Sequence, residues 1–251
     1  MQIFLQYYRY YVTRVVHLGV QKKMNPGFNV VKIEGHSFFS EHLIPNSILV
    51  DFGTNKGIFS KTLISKFGVK SYGVEAEEGI YRNYLLSIDN LKVLNAAITN
   101  FNGKSLINRN QEHCSTIIES NLHEADGSYV DAITYDDFSS YYDLSEIDLI
   151  KFDIEGSEIE VFASCTDEQI LNWKQITIEF HDFIFPELSG EVFKIRERLR
   201  GIGFQEIRFS LDNTDVVYLN TKYFRTFTPM IFVSIICFKY FRGFKRRYLL
   251  K

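Results

Sequence analysis

Cysteine is scarce in this sequence, and its spacing offers no framework for disulfides or metals. The three residues, Cys114, Cys165 and Cys237, are odd in number and far apart, and no two of them form a C-x-x-C pair. A scattered, odd set excludes a disulfide-stapled scaffold and a thiolate metal site. The sequence therefore predicts a protein of a reducing compartment.

A large excess of either charge is also missing. The chain has 28 Lys and Arg against 31 Asp and Glu, which gives a formal net charge of −3 over 251 residues. Proteins that bind nucleic acid usually carry a strong basic excess or stripe, so no nucleic-acid partner is expected. The hydrophobic fraction of 45% and the charged fraction of 24% are ordinary for a globular chain, and they predict one main domain.

Long apolar runs are absent too. Residues 1–23 carry scattered Arg and Lys and lack the apolar core and cleavage site of a signal peptide, so a cytoplasmic protein is expected. The apolar run Met230–Phe238 is shorter than the roughly 20 residues of a membrane span, and basic and aromatic residues follow it. Two interpretations stay open: a core or dimer-interface segment with a solvated tail, or peripheral contact with an anionic membrane surface.

Between residues 46 and 222, short β-rich runs alternate with longer helical patterns, which is typical of an α/β fold with parallel strands joined by crossover helices. A helix is predicted to begin near Gly57, because Phe59, Leu63 and Phe67 recur at spacings of four. LKVLNAAI is predicted to be one buried strand, and the last two runs are predicted to pair antiparallel. The β-rich runs are SILVDF, SYGVEA, LKVLNAAI, GKSLINRN, IDLIKFD, QITIEFH, FQEIRFS and DVVYLN.

Three segments fall outside this alternation. Residues 1–45 are predicted to form a helical extension that packs on the main domain of residues 46–222, and residues 223–251 form an apolar and basic C-terminal segment. Residues 100–136 keep no persistent period beyond one β-rich run, so they are predicted to form an insertion over the sheet. Within it, His113–Ser115 show no catalytic spacing, and both a mobile lid and an ordinary surface loop stay open.

The segment DFGTNKG follows the first β-rich run and carries the pattern D-x-G-x-x-x-G from Asp51 through Gly53 to Gly57. Glycines at a strand-to-helix turn let backbone amides approach a ligand, and the helix start adds a partial positive charge. Glu75 ends the next β-rich run, where a carboxylate can accept both ribose hydroxyls of an adenosine. Each feature alone fits simple turn chemistry or a solvated strand end, but on successive strands they indicate a nucleoside site.

The spacing of the loop favours one nucleoside. Dinucleotide binders use G-x-G-x-x-G to seat a pyrophosphate, whereas this loop is wider after its first glycine. S-adenosylmethionine carries a sulfonium and an amino acid in place of the phosphates, so carboxylates suit it, and Asp51 is expected to engage its amino group through water. The candidate cofactor-binding residues are Asp51, Gly53, Thr54, Asn55, Gly57 and Glu75.

Several stretches resemble the FkbM family of class I methyltransferases, in unbroken order from about Leu49 to Phe209. They are VDFGTNKGIFS, GVEAEEGIYRNYLL, NAAITNFNGKSL and DLIKFDIEGSEIEVF, followed by ITIEFH. The pattern K-x-D-x-E-G-x-E is the most distinctive, and Glu77 departs from the proline that family members often have there. The resemblance implies a Rossmann-like, seven-stranded, mostly parallel sheet with an antiparallel C-terminal hairpin strand. It also implies S-adenosyl-L-methionine as donor, O-methylation of a sugar, polyketide or related metabolite, and cofactor contacts at Ala97 and Asp153.

Asp153, Glu155 and His181 follow two β-rich runs that are predicted to be neighbours, so their side chains are expected to meet near the transferred methyl group. Methyl transfer needs an acceptor oxygen held about 3 Å from the methyl carbon and a base for its proton. His181 is predicted to be that base, with a structural histidine as the alternative. These side chains suit a divalent metal as well, but no tight ligand spacing demands one, so none is predicted.

Three further charged residues flank these candidates. Lys151 and Asp153 share one face of their strand, which predicts an ion pair near the cofactor and makes Lys151 a catalytic candidate. Glu158 is interpreted as a helix N-terminal residue favoured by the helix dipole, a reading that also fits Glu155. Glu179 shares a strand face with the predicted base and is predicted to orient its ring.

These features predict an O-methyltransferase that acts on a small-molecule or glycan hydroxyl in the cytoplasm. A nucleic-acid methyltransferase is one alternative, which would show a basic, aromatic-lined face around the site. A catalytically silent module that binds a nucleoside, a membrane or a partner protein is the other, although the complete set of motifs argues against it. The oligomeric state is not specified by any of these patterns.

Overall fold

The computed structural model describes residues 30–108, 116–117, 127–210 and 212–224. Its strands are β1 (Val30–Ile33), β2 (His36–Phe39), β3 (Ile48–Phe52), β4 (Lys70–Val74), β5 (Leu91–Leu94), β6 (Ala97–Thr99), β7 (Gly103–Asn108), β8 (Thr116–Ile117), β9 (Gly127–Thr134), β10 (Leu149–Phe152), β11 (Gln175–Ile178), β12 (Phe204–Arg208) and β13 (Val216–Asn220). Its helices are α1 (Ile58–Phe67), α2 (Glu78–Ile80), which continues into a π-helical turn (Tyr81–Leu85), α3 (Tyr135–Tyr141), α4 (Glu158–Ser164), α5 (Asp167–Leu171) and α6 (Ser189–Gly201), with 3₁₀ turns at His181–Phe183 and Pro186–Leu188.

The central sheet has seven strands in the order β12-β13-β11-β10-β3-β4-β5. Strands β3, β4, β5, β10 and β11 pair in parallel, and β13 runs antiparallel between β11 and β12. This confirms the predicted Rossmann-like sheet with its antiparallel C-terminal hairpin. The strand order reverses between β3 and β10, and in open α/β sheets ligands bind at the carboxyl ends beside that reversal.

The main core lies between this sheet and its helices. All four residues of β10 are buried, because a parallel strand covered on both faces has no solvent side. Phe52 and Phe152, at the ends of neighbouring strands, meet edge to face with ring centroids 5.3 Å apart, and Trp173 donates from Nε1 to the hydroxyl of Tyr135 at 2.7 Å. The strand ends that lead into the site are therefore fixed by aromatic packing.

A second sheet, in the order β6-β9-β7-β8, is built largely from the insertion predicted at residues 100–136. The prediction of a single strand for LKVLNAAI is wrong: β5 edges the central sheet and β6 pairs with β9. Asn95 lies between the two strands, and its Nδ2 donates to the carbonyls of Glu75 (2.8 Å) and Ala76 (3.2 Å). This side chain fixes the chain where it leaves one sheet for the other.

The stretch Val30–Phe39 is a β-hairpin, so the predicted helical extension is wrong for these residues. β1 and β2 pair antiparallel around Glu34 and Gly35, whose φ values of 47° and 89° suit a two-residue turn of the primed type. Phe38 and Phe39 are fully buried against the main domain. All four residues of β2 are buried, so its sequence shows neither the alternation of a half-exposed strand nor the apolar spacing of an amphipathic helix.

Polar side chains fasten the hairpin to the sheet. The buried carboxylate of Asp215 accepts hydrogen bonds from the amide (2.9 Å) and the hydroxyl (2.8 Å) of Ser37. The side-chain amide of Gln175 pairs with the backbone of Phe39, accepting at 3.0 Å and donating at 2.9 Å. These contacts fix the position of His36, which enters the functional site from the hairpin.

Some predicted features lie outside the described residues, namely most of the helical extension (1–29), His113–Ser115 and most of the C-terminal segment (225–251). The domain boundaries at residues 46 and 222 therefore stay predictions. No helix in the described part of the chain combines the length and the apolar character that crossing a bilayer requires.

We expect Asp215→Ala to lower the free energy of unfolding by about 2–4 kcal/mol, because it leaves buried donors of Ser37 without an acceptor. Asp131→Ala is the matched control, because both side chains of the Asp131–Lys104 ion pair are exposed to solvent. This substitution should lower the free energy of unfolding by less than about 1 kcal/mol. Urea unfolding followed by circular dichroism measures both. Equal losses for the two variants would contradict the anchoring role of Asp215.

Candidate active site

The loop after β3 is shaped by close backbone contacts. Gly53 has φ of 75°, and a Cβ there would lie 1.8 Å from the carbonyl oxygen of Asp153, so no other residue fits. Thr54 donates from its hydroxyl to the carbonyls of Asp51 (2.9 Å) and Val74 (3.1 Å). Thr54 therefore ties β3 to β4, and its side chain holds the loop rather than facing a ligand.

Glu75 follows β4 and turns its carboxylate onto this loop. Oε2 accepts from the amide of Asn55 at 2.7 Å and Oε1 accepts from the amide of Glu77 at 2.8 Å. Burial raises the pKa of Glu75, although both amide hydrogen bonds act to lower it. Each carboxylate oxygen has a second lone pair, so Glu75 can still accept hydrogen bonds from a ligand.

The other predicted cofactor residues lie around the same loop. Gly57 precedes α1 with φ of 73°, and a Cβ there would meet the side chain of Ile88 at 2.7 Å. Asn55 also has a positive φ, 49°. Ala97 is buried at the start of β6, just beyond the strand end beside Glu75. The sequence motifs are thus brought together in space, while their contacts with a cofactor stay predictions.

Lys151 is the buried centre of the next group. Its Nζ lies 3.1 Å from Oδ1 of Asp51 and 3.5 Å from Oδ2 of Asp153, and it donates to the carbonyl of Gly53 at 2.9 Å. Burial alone would lower the pKa of Lys151, but the two carboxylates raise it above its ordinary value. The predicted ion pair with Asp153 is present, and Lys151 holds the strand ends together.

Asp51 is fully buried, and both of its carboxylate oxygens contact other side chains of the protein. Its Oδ2 accepts from the hydroxyl of Ser60 at 2.5 Å, and its Oδ1 faces the ammonium of Lys151. This arrangement gives Asp51 a structural role in orienting the lysine. Its expected contact with the amino group of the donor, through water, stays a prediction.

His36 is a site residue that sequence analysis missed. Its Nε2 lies 3.2 Å from Oδ2 of Asp153, and its side chain is fully buried. Burial would raise the pKa of Asp153, but Lys151, His36 and His181 together hold it well below its ordinary range. The sequence around His36 has no helical or catalytic spacing, so nothing in it predicts a role in the site. His36 reaches the end of β10 only because β1 and β2 form a hairpin.

His181 faces carboxylates with both ring nitrogens. Nδ1 lies 3.0 Å from Oε1 of Glu158, and Nε2 lies 3.3 Å from Oε2 of Glu155 and 4.0 Å from Oδ1 of Asp153. Burial alone would lower the pKa of His181, but these carboxylates raise it to about 9. A ring that is already protonated at neutral pH cannot accept the acceptor's proton, which argues against the predicted base role.

Glu158 has a role beyond the one predicted for it, and Glu179 differs from its predicted role. Glu158 does begin α4 and accepts from the amide of Ile154 at 3.0 Å, but the same oxygen also orients His181, a task that was predicted for Glu179. Burial and the charge of Asp153 raise the pKa of Glu179 to about 7. Glu155 has φ of 54°, a left-handed conformation that is uncommon for a non-glycine residue.

Two overlapping groups of side chains have the geometry of a metal site. One contains His36, Asp153 and Glu179, and the other contains Asp153, Glu155 and His181; within each group the potential ligand atoms lie within 4.8 Å of one another. Sequence analysis considered the group of Asp153, Glu155 and His181 but predicted no metal there, because no tight ligand spacing demands one. It missed the group with His36, because the hairpin that brings His36 to Asp153 was not predicted.

The strand order, the glycine loop after β3 and the buried carboxylate after β4 together define a class I methyltransferase fold. The model of the Methyltransferase FkbM domain matches residues 8–206, and the chain belongs to this family. The resemblance seen in the sequence is thereby confirmed. S-adenosylmethionine is the methyl donor of the enzyme.

Solved structures with a similar fold are distant in sequence. An rRNA methylase from Streptococcus thermophilus is 14% identical, with a TM-score of 0.41, 72% of this chain and 90% of that chain covered. A precorrin-6y C5,15-methyltransferase from Geobacter metallireducens is 12% identical (TM-score 0.36; 71% and 81% covered), and a methyltransferase from Geobacter sulfurreducens in complex with S-adenosyl-L-homocysteine is 8% identical (TM-score 0.35; 66% and 60% covered). No curated protein matches the chain.

We expect Lys151→Met to lower the free energy of unfolding by roughly 3–5 kcal/mol, because it leaves the buried carboxylate of Asp51 without its counter-charge. Adding Asp51→Asn should restore part of this loss, since the unpaired charge is then gone. Lys61→Met, at an exposed position of α1, is the matched control and should change stability little. Additive losses in the double variant, measured by chemical unfolding, would contradict the coupling.

Proposed function

We propose that this protein transfers the methyl group of S-adenosylmethionine to a hydroxyl of a sugar, a glycan or a related metabolite. One observation supports this most: hydrogen-bonding side chains cluster at the carboxyl ends of β10 and β11, directly beside the glycine loop. Asp153 and Glu155 have side chains 31% and 29% exposed, above the buried ring of His181. Such groups suit a neutral acceptor rich in hydroxyls.

The sign of the charge favours a neutral acceptor over a nucleic acid. A phosphate backbone requires positive charge at the surface that it contacts. Here Lys151 is buried and bound to protein partners, so it is not offered to a polyanion. The described carboxylates around the site are Asp51, Asp153, Glu155, Glu158 and Glu179.

The residues present suit the donor. Glycine at Gly53 and Gly57 keeps side chains out of the turn, and Glu75 has lone pairs left for ribose hydroxyls. When bound, the donor would supply an activated methyl group, whose carbon the acceptor oxygen attacks in line as the thioether leaves. Asp153, fixed by Lys151 and His36, is in our proposal the side chain that orients the acceptor hydroxyl.

The proton of the acceptor hydroxyl needs a receiving group. His181 is poorly placed for this, because both of its nitrogens already face carboxylates at 3.0 Å and 3.3 Å. Glu179 is the receiving group in our proposal, since its carboxylate lies within 4.8 Å of both Asp153 and His36. Contact of residues 223–251 with a membrane stays a separate prediction.

Donor binding tests the cofactor half of this proposal. Glu75→Gln should weaken S-adenosylmethionine binding by about 10- to 100-fold, because a charged acceptor of two hydroxyl donors is lost. Isothermal titration of the purified chain measures the affinity. Glu78→Gln is the control, since Glu78 is exposed and pairs with Arg82, and it should bind like the parent. A folded parent protein that binds no donor would instead favour the silent-module alternative.

Methyl transfer tests the acceptor half. We expect labelled methyl from the donor to appear in hydroxyl-bearing sugars or lipid-linked glycans, and Asp153→Ala to reduce the rate about 100-fold or more by losing acceptor orientation. Glu168→Gln, at an exposed position of α5, serves as control. Labelling of RNA alone from the same panel would overturn the proposed acceptor class.

A further inference from the structure

We propose that Asp153, Glu155 and His181 bind one divalent cation of the first transition row at the acceptor side of the site. Nε2 of His181 lies 3.3 Å from Oε2 of Glu155 and 4.0 Å from Oδ1 of Asp153, and the three potential ligand atoms lie within 4.8 Å of one another. Metal–ligand bonds of about 2.0–2.2 Å put two ligands of one ion about 3–4 Å apart. The two distances from Nε2 fall within this range, and the third pair lies within 4.8 Å, so a side-chain movement of under about 1 Å would let one ion bind all three.

A second, independent feature points to a cation at this position. The buried carboxylate of Glu158 lies 3.0 Å from Nδ1 of His181 and also accepts from the amide of Ile154 at 3.0 Å. Histidines that bind metals almost always donate their other N–H to such a group, which fixes the ring and its tautomer. With Nδ1–H donated to Glu158, Nε2 carries the proton that the two carboxylates favour when no metal is bound. A divalent cation would displace this proton, because a ligating imidazole is neutral, and it would then lie between Nε2 and the two carboxylates.

The charges around Asp153 favour a cation beside Glu155 and His181 over one beside His36 and Glu179. Oδ2 of Asp153 already faces the ammonium of Lys151 at 3.5 Å and the ring of His36 at 3.2 Å. Oδ1, on the side of His181, is the oxygen that remains for a cation. The exposed fractions of the Asp153 and Glu155 side chains, 31% and 29%, leave further coordination positions open to water or to an acceptor.

The ligand chemistry defines the class of ion. Imidazole suits Mn²⁺, Fe²⁺ or Zn²⁺ better than Ca²⁺ or Mg²⁺, which prefer oxygen alone, and two carboxylates balance a charge of +2. In a role that rests on the proposed function, the ion would bind the acceptor hydroxyl and favour loss of its proton. The oxygen–carbon bond then forms as the carbon–sulfur bond breaks, its electron pair leaving with sulfur, and Glu179 receives the proton.

Metal binding is measured directly, apart from methyl transfer. The full-length chain is stripped with EDTA, dialysed and titrated with Mn²⁺, and free Mn²⁺ is followed by electron paramagnetic resonance. We expect one bound ion per chain, and binding at least tenfold weaker in Glu155→Gln and His181→Gln. Glu158→Gln should weaken it about 10- to 100-fold, as is usual when the partner of a ligating histidine is lost. Glu168→Gln should match the parent.

His181 and Glu158 are buried, and their variants can fail to fold. Glu155 is partly exposed, so Glu155→Gln still tests the site in that case. Absence of stoichiometric Mn²⁺ or Zn²⁺ binding in a parent chain that binds S-adenosylmethionine would overturn the site, and so would equal binding by the parent and Glu155→Gln. Full methyl transfer by the stripped protein in EDTA would overturn the role of the ion in catalysis. Loss of donor binding in the parent would instead count against the proposed function.

Discussion

The buried ammonium of Lys151 is the interaction on which the site depends. It joins the carboxyl ends of β3 and β10 through Asp51, the carbonyl of Gly53 and Asp153. Buried ion pairs contribute little net stability against an apolar core, because removing both charges from water is costly. Their geometry is specific, however, since each charge requires its partner at hydrogen-bond distance. The lysine therefore fixes the glycine loop and Asp153 relative to each other, which in our proposal are the donor side and the acceptor side of the site.

This constraint is extended by segments that are remote in the chain. The hairpin places His36 on the oxygen of Asp153 that also faces Lys151, and the hairpin is itself held by the buried Asp215 and Gln175. On the other side, Glu158 at the start of α4 holds the ring of His181. Asp153 and His181 thus each have buried partners that fix their direction. A set fixed in this way can orient an acceptor before the donor reacts, which is where positioning contributes most to rate.

Sequence patterns correctly predicted those elements whose structure depends on neighbouring residues in the chain. Strands β3, β4 and β10 are recognisable because buried parallel strands appear as apolar runs with a polar residue at or beside their end, here Asp51, Glu75 and Asp153. The hairpin at Val30–Phe39 was missed because its short strands are buried by tertiary contacts, and these override the local pattern. The meeting of His181 with Asp153 and Glu155 was predicted, but its contact with Glu158 was not, and the three carboxylates together raise the pKa of His181 to about 9.

The number of carboxylates in the site has a consequence for the chemistry. A cationic sulfonium is attracted to them, whereas the thioether left after transfer carries no such charge, so the attraction is lost when the product forms. An acceptor oxygen that loses its proton beside the same carboxylates is disfavoured, because like charges repel. Lys151 cannot offset this, since its ammonium faces inward to Asp51 and Gly53. The protonated ring of His181 supplies one positive charge there, and in our proposal a divalent cation bound by Asp153, Glu155 and His181 displaces that proton and supplies a larger one.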